Sequence, residues 1–267
     1  MAFLETDGGC RVHYELHEGD KLPVVFIHGW GMSGDYWASA VEGVRTAGHS
    51  AIVVDHRGCG RSDRDFVDMS IAAIASDVAA IVKRSGAPRV ILNGWSLGGA
   101  VAVAAAEILG DTVAALVLTC GATPRYTQAE GFPHGGQAED VLAINGAITA
   151  DRPEFFRTLA RGAVAEGASE ALISWLERGF IASSPCASAT LADLATLDQR
   201  KLLASFAFPV LSIGCTKDTV ADPAIAGFAA NCAQDGTLLT MDTGHSPHLE
   251  NATAYNEALL TFVRRFT

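Results

Sequence analysis

Ser96 lies between two glycines, Gly94 and Gly98, at a point where the sequence pattern changes. Residues 89–93 contain a short apolar, β-branched run that predicts a buried strand, and the alanine-rich run that follows, 97–109, predicts a helix. A serine on a sharp strand-to-helix turn has its hydroxyl exposed at the edge of a sheet, and flanking glycines leave room for such a turn. The helix N-terminus behind the serine favours developing negative charge. The pattern therefore predicts that Ser96 is a nucleophile.

A serine nucleophile needs a base to accept its proton, and the base, usually a histidine, needs an acid that orients it. Asp218 follows the predicted strand 209–214, and His245 follows the predicted strand 237–242. The order serine, aspartate, histidine along the chain is typical of hydrolases that carry the serine on a strand-to-helix turn. We therefore expect Ser96, Asp218 and His245 to meet at one edge of a sheet.

Three nearby residues offer alternatives to these assignments. Asp222 could replace Asp218, but it precedes a proline at the predicted start of a helix and is more typical of an N-cap. His248 could replace His245, but it lies three residues further on, in a predicted loop where we expect structural hydrogen bonds. His28 follows a predicted strand, and we expect it to brace the loop after that strand.

Two backbone N–H groups are expected to stabilise the oxyanion that forms when serine attacks a carbonyl. One is the N–H of Leu97, the residue after the nucleophile. The other is the N–H of Trp30, in the loop after the predicted strand 24–27. Glycines flank Trp30 and allow the backbone to approach a substrate closely.

Predicted strands and helices alternate along most of the chain. The predicted strands are residues 11–16, 24–27, 50–55, 89–93, 114–119, 209–214 and 237–242. The first alternates in polarity and is expected to be antiparallel. The others are short and apolar and are separated by helices, which indicates a mostly parallel α/β sheet with helices on both faces.

The alternation stops between residues 123 and 206, where no apolar β-branched run occurs. The helices predicted there are residues 137–150, 152–166, 168–182 and 187–204. A helical insertion within a parallel sheet is expected to form a lid over the carboxyl ends of the strands, where such sheets bind ligands. We therefore assign residues 1–122 and 207–267 to an α/β core and residues 123–206 to a helical lid. A second independent domain is the alternative.

Substrate specificity is expected to come from apolar residues of the lid and of the loops near Ser96. The candidates for lining the pocket are Trp95, Met32, Phe155 and Trp175. Trp95 could equally pack in the core beneath the turn. Three lid arginines could present a basic face to an acidic partner, but nearby acidic residues favour a solvated surface; these arginines are Arg152, Arg157 and Arg161.

Composition excludes several classes of partner. The 267 residues carry a formal net charge of −11, which disfavours binding to nucleic acid and to anionic membranes. No apolar run approaches the ~18 residues of a membrane span, and the N-terminal residues lack the pattern of a signal peptide, so we expect a cytoplasmic protein.

The 6 cysteines form no C-x-x-C pair and are expected to be reduced. No spacing of metal ligands is present, and we expect neither a metal nor a cofactor.

Four segments resemble motifs of the α/β-hydrolase superfamily. They are residues 28–31 (HGWG), 55–62 (DHRGCGRS), 94–99 (GWSLGG) and 244–250 (GHSPHLE). Within the superfamily, the first and third are similar to those of pimeloyl-carrier methyl-ester carboxylesterases. Residues 28–34 and 55–63 also resemble the cofactor-free haloperoxidase and aryl esterase group. Two positions differ from these relatives: Cys215 lies where glycine is usual, and Gly31 where several haloperoxidases have proline.

The resemblance implies an α/β-hydrolase fold with an eight-stranded, mostly parallel sheet and a lid inserted after strand 6. It also implies a serine hydrolase that cleaves a small carboxylic ester or lactone through an acyl-enzyme, without a cofactor. Thioester or carbon–carbon bond hydrolysis, a perhydrolase or haloperoxidase side activity, and a non-catalytic receptor of the same fold are the alternatives. An aspartate nucleophile, as in dehalogenases of this fold, is excluded by Ser96.

Overall fold

The computed structural model describes residues 2–6 and 8–266 and contains an eight-stranded sheet. The strands are β1 (Ala2–Glu5), β2 (Arg11–His17), β3 (Lys21–Ile27), β4 (His49–Val54), β5 (Val90–Trp95), β6 (Val113–Thr119), β7 (Val210–Cys215) and β8 (Gly236–Met241). Their order across the sheet is β1-β2-β4-β3-β5-β6-β7-β8. The pairs β1–β2 and β2–β4 are antiparallel, and all other pairs are parallel.

Helices cover both faces of the sheet. They are α1 (Ala38–Thr46), α2 (Ile71–Ser85), α3 (Leu97–Leu109), α4 (Ala138–Ala150), α5 (Arg152–Gly162), α6 (Glu170–Ala182), α7 (Thr190–Thr196), α8 (Arg200–Ser205), α9 (Ala224–Cys232), α10 (Pro247–Glu250) and α11 (Ala252–Val263). Successive strand residues point to opposite faces, so Val25 and Ile27 pack with α2 and α3, whereas Val24 and Phe26 pack with α1 and α11. Burial on both faces explains why the central parallel strands are largely apolar, whereas the edge strand β8 is mostly exposed.

The predicted fold class is confirmed, and β1 is the strand that the apolar pattern did not reveal. Its residues alternate between half-buried and exposed, as expected at the edge of a sheet where one face is solvated. It pairs antiparallel with β2 and completes the eight strands. Among the helices of the described residues, none has both the length and the hydropathy needed to cross a bilayer.

The segment between β6 and β7 contains helices α4 to α8. The single helix predicted at 187–204 is wrong: a 3-10 turn at Pro185–Ala189 leads into α7, and α8 begins separately at Arg200. The break between them is held by Gln199, whose N–H donates to Pro124 O at 2.7 Å. Helix α8 then packs against α3 and α9 of the core. The division into core and lid remains a prediction.

Candidate active site

Ser96 occupies the turn between β5 and α3 in a conformation that non-glycine residues seldom adopt. Its φ is 55° and its ψ is −123°. The Ser96 N–H donates to Thr119 O at 3.0 Å, and the Ser96 carbonyl accepts from the N–H groups of Gly99 and Ala122, both at 2.9 Å. These three backbone bonds hold the strained turn in place, as is common where strain serves a site.

The two glycines around Ser96 are required by close approaches of the backbone. A Cβ on Gly94 would lie 2.1 Å from Gly98 O, and a Cβ on Gly98 would lie 2.2 Å from Ile27 O. Both distances are far below van der Waals contact. The Gly-x-Ser-x-Gly spacing therefore allows the start of α3 to pack directly against the ends of β3 and β5.

Asp218 and His245 form a buried pair at the carboxyl ends of β7 and β8. His245 Nδ1 lies 2.7 Å from Asp218 Oδ2, while Asp218 Oδ1 accepts from the N–H groups of Val220 and Ala221 at 2.8 and 2.9 Å. Burial acts to raise the pKa of Asp218, but the charge and hydrogen bond of His245 and the two N–H donors outweigh it and hold the pKa below its usual value. An ionised carboxylate accepts only, so Nδ1 carries the proton and Nε2 can act as a base.

The predicted oxyanion donors, Trp30 and Leu97, also lie at this edge. Within the described residues neither backbone N–H has an intramolecular acceptor. His28 Nδ1 donates to Gly29 O at 2.7 Å, and His28 Nε2 accepts from the His56 N–H at 2.9 Å. Gly29 O and the Trp30 N–H belong to one planar trans peptide and point in opposite directions. His28 therefore fixes the direction of the Trp30 N–H, as expected of a residue that braces this loop.

Ser96 and His245 line one apolar cavity of about 80 Å³. Of the predicted pocket residues, Met32, Trp95 and Phe155 line it together with Tyr126 and Leu159. None of the described residues that line this cavity carries a formal charge. Because ligand pockets are commonly about 300–1,000 Å³, the cavity fits only a small, uncharged group.

The structure separates the two tryptophans that were candidates for the pocket. Trp175 lies outside the cavity and stacks on Tyr36, with ring centroids 4.7 Å apart. Trp95 is buried, and its Nε1–H donates to His245 O at 2.8 Å. Trp95 therefore combines both predicted roles, because it packs beneath the turn, contacts the cavity and holds the backbone of His245.

The alternative residues Asp222 and His248 are placed elsewhere. Asp222 accepts from the N–H groups of Ala224 and Gly135 at 2.9 and 3.0 Å, so it caps the start of α9. The hydrogen-bonding role predicted for His248 is wrong. Its ring lies among Trp37 and Trp95, and within the described residues neither ring nitrogen has a partner. Burial lowers the pKa of His248 to about 3.

The three arginines of the predicted lid are engaged within the chain. Arg157 lies 3.4 Å from Glu154 and 3.6 Å from Glu177, and Arg161 lies 3.0 Å from Glu170. Arg152 packs over Phe156 and donates to Ser183 O at 2.7 Å. At Arg157 and Arg161 this surface has the paired, solvated character that its acidic neighbours indicated, whereas Arg152 is half-buried.

One carboxylate with a positioning role was missed from the sequence. Glu250 accepts from the N–H groups of Gly244, Ser246 and Ala165, at 3.0, 3.1 and 2.7 Å. It thereby fixes the loop that carries His245 and ties it to the segment after α5. Its position six residues after Gly244, in the same short segment as His245, was a visible signal. Its backbone partners could be identified only in three dimensions.

The alpha/beta hydrolase family model matches residues 24–258. A pimeloyl-[acyl-carrier protein] methyl ester esterase from Xanthomonas campestris is 30% identical over 252 residues, which cover 92% of this chain and 96% of that protein. A non-heme chloroperoxidase from Streptomyces lividans is 28% identical over 275 residues, covering 99% and 100%. The structure of an esterase from Exiguobacterium antarcticum is similar with a TM-score of 0.93, at 25% identity and 98% coverage of both chains. The chain therefore belongs to the alpha/beta hydrolase family.

Proposed function

We propose that this protein is a serine hydrolase that cleaves small carboxylic esters or lactones through an acyl-enzyme. The observation that carries the proposal is the buried His245–Asp218 pair, 2.7 Å apart, beside Ser96 on a strained turn that faces the same cavity. Relatives named as esterases support the same reaction class.

In the proposed mechanism, Ser96 Oγ attacks the carbonyl carbon while His245 Nε2 accepts its proton. Asp218 keeps the imidazole oriented and stabilises its positive charge. The N–H groups of Trp30 and Leu97 stabilise the oxyanion of the tetrahedral intermediate. His245 then donates the proton to the leaving alcohol, and a water molecule activated by His245 hydrolyses the acyl-enzyme and releases the acid.

The cavity supports a short, uncharged acyl group as the substrate portion bound next to Ser96. Its volume of about 80 Å³ has room for few atoms, and its walls are apolar. Phe155, on α5, forms one of these walls. Phe155→Ala should raise the ratio of kcat/KM for an octanoate ester to kcat/KM for an acetate ester by at least about 10-fold. The reason is that each methylene bound in an apolar pocket contributes about 1–3 kcal/mol to transition-state binding. Leu142→Ala, at an exposed position of α4, is the matched control.

Perhydrolysis is the second reaction to consider, because one relative is named a chloroperoxidase. Gly31, in the loop that carries the Trp30 N–H, has a φ of +69°. Proline is restricted to a φ near −65°, so this loop differs from that of haloperoxidases with proline at this position. We therefore propose hydrolysis as the main reaction and perhydrolysis as at most a side activity.

The experiment that tests the proposal is hydrolysis of p-nitrophenyl esters from acetate to decanoate. Ser96→Ala should lower kcat by at least about 10³-fold, because the attacking hydroxyl is removed. Ser76→Ala, on the exposed face of α2, should have no effect. A folded wild-type protein without turnover on any of these esters would argue against a general esterase, and equal turnover by Ser96→Ala would exclude Ser96 as the nucleophile.

A further inference from the structure

Two cysteine thiols lie side by side beneath the proposed catalytic pair. Cys120 directly follows β6, and Cys215 is the last residue of β7. Their Sγ atoms are 3.2 Å apart, both residues are buried, and both are free thiols. Thr243, from the loop after β8, donates its Oγ1–H to Cys215 Sγ at 3.2 Å. The proposed mechanism uses neither sulfur.

The thiol of Cys120 lies close to Asp218 and His245. One ligand atom from each of Cys120, Asp218 and His245 lies within 4.8 Å of the other two, and Cys215 Sγ lies beside Cys120 but outside this group of three. A sulfur, an imidazole nitrogen and a carboxylate oxygen suit Zn²⁺, which prefers four such ligands in tetrahedral geometry. The Cys215 sulfur would complete the four ligands by moving toward the other three.

We propose that Cys120, Cys215, Asp218 and His245 form a binding site for a thiophilic divalent cation of the zinc type. Inhibition of hydrolysis by the bound cation rests on the proposed function, whereas binding of the cation does not. Two thiolates around a tetrahedral zinc ion lie about 3.8 Å apart, given zinc–sulfur bonds of ~2.3 Å. The observed sulfur separation of 3.2 Å therefore needs to open by about 0.6 Å.

Binding changes the protonation of the site in a defined way. Each thiol releases one proton to solvent, so the ion is held by two thiolates, one carboxylate and one neutral imidazole, with no change of oxidation state. His245 Nδ1 faces Asp218 and is the nitrogen that would ligate the ion. Its proton then moves to Nε2, which can no longer accept a proton from Ser96. Occupancy of the site therefore blocks hydrolysis.

The environment of the sulfurs favours a cation over disulfide chemistry. Burial, together with the neighbouring Cys215 and Asp218, raises the pKa of Cys120 well above its usual value. Both thiols are also buried, which hinders the approach of the external disulfide that exchange requires. A bound cation supplies the positive charge that deprotonates its thiol ligands, and the Asp218 carboxylate adds to the attraction.

Direct binding tests the site without reference to catalysis. Co²⁺ is the probe, because tetrahedral cobalt with thiolate ligands has an intense visible and near-ultraviolet absorption. Wild type and Ser96→Ala should each bind one Co²⁺ per chain with the thiolate band, and Zn²⁺ should displace it. Cys120→Ser and Cys215→Gly should weaken binding at least about 10-fold, whereas Cys10→Ser should bind like wild type.

Inhibition is then measured at buffered free Zn²⁺. Wild-type hydrolysis should fall and recover with a chelator. Cys120→Ser, with its rate expressed relative to its own rate in chelator, should need at least about 10-fold more Zn²⁺ for the same fractional inhibition. Binding without inhibition in an active wild type would overturn the inhibitory role. Unchanged cobalt binding in both cysteine variants would overturn the site. Titration of only four of the 6 thiols in the denatured protein would also overturn the site, because the two missing thiols would be joined in a disulfide.

Discussion

At the scale of single residues, Asp218 is the side chain on which the proposed site depends. Its carboxylate orients His245 through one oxygen and accepts two backbone N–H groups through the other. These partners keep it ionised although it is buried. The nearby Asp222 instead caps α9 and does not contact His245. The two aspartates therefore offer a matched comparison.

Asp218→Asn should lower kcat by about 10⁴-fold with little change in fold, because an amide no longer holds the imidazole in the tautomer that accepts the serine proton. Asp222→Asn should retain nearly full activity. The measurement is ester hydrolysis by both variants, with circular dichroism as a check of folding. A larger loss in Asp222→Asn than in Asp218→Asn would reverse the assignment of the acid.

The burial of His248 leads to a prediction about stability instead of activity. Burial holds its pKa at about 3, well below the 6.5 of an exposed histidine. Between these values the unfolded chain binds a proton that the folded chain does not, so protonation favours unfolding. Above about pH 6.5, His248 is neutral in both states and does not lower the free energy of unfolding. Below that pH, it lowers the free energy of unfolding by up to about 1.4 kcal/mol for each pH unit.

His248→Phe should remove this contribution to acid sensitivity while filling the space among Trp37 and Trp95. Urea unfolding at several pH values between 7 and about 4 provides the measurement, and the difference between variant and wild type isolates His248 from other titrating groups. Parallel pH dependences of the two proteins would show that His248 is not buried in its neutral form.

At the scale of elements, the packing of α3 against the sheet determines the geometry of the turn. Gly98 lies where the first turn of α3 crosses the end of β3, with no room for a Cβ beside Ile27 O. Gly146, in α4, has open space where its Cβ would be. Both glycines are helical, so the same substitution at the two sites separates a packing requirement from helix propensity.

Gly98→Ala should destabilise the fold by about 1–3 kcal/mol, which is the usual cost of overpacking. It should also lower kcat, because a shift of α3 would displace the Leu97 N–H. Gly146→Ala should stabilise by about 0.5–1 kcal/mol. Denaturant unfolding and ester hydrolysis of both variants test this pair. A neutral effect of Gly98→Ala would mean that the start of α3 lies further from β3 than the structure has it.

At the scale of the whole molecule, a negative surface surrounds an uncharged cavity. The formal net charge is −11, while the described cavity walls carry no charged side chain that could bind an anionic substrate. Anionic esters should therefore be repelled at long range and gain nothing on binding. Salt screens the repulsion over roughly 10 Å at 0.1 M.

We therefore expect kcat/KM for an ester with a carboxylate on its acyl group to be low and to rise with ionic strength. A neutral ester of similar size should change little. Steady-state hydrolysis of p-nitrophenyl succinate and p-nitrophenyl butyrate across a series of salt concentrations makes the comparison. Equal salt dependence of the two esters would contradict an electrostatic cause, and efficient cleavage of the anionic ester at low salt would point to a cationic group that contacts the substrate.

Local features were sufficient to predict most of the fold and the candidate site residues. The alternation of apolar strands and helices predicted a mostly parallel sheet, and that fold is confirmed. The glycines around Ser96 and the positions of Asp218 and His245 after predicted strands placed three side chains at one sheet edge. This worked because parallel strands end at a common edge, so sequence position alone carries the spatial information.

Tertiary contacts decided what these local patterns left open. Phe155 and Trp175 are aromatic residues of α5 and α6, respectively. Of the two, only Phe155 reaches the cavity, because the packing of these helices determines which face points inward. Among the residues that the structure describes, the His248 ring has no hydrogen-bond partner, because two tryptophans from distant segments enclose it. The sulfurs of Cys120 and Cys215 meet because β6 and β7 are neighbours in the sheet although they are far apart in the chain. The sequence by itself determined the elements and the chemistry that each could carry, whereas the contacts between side chains from distant elements depended on packing in three dimensions.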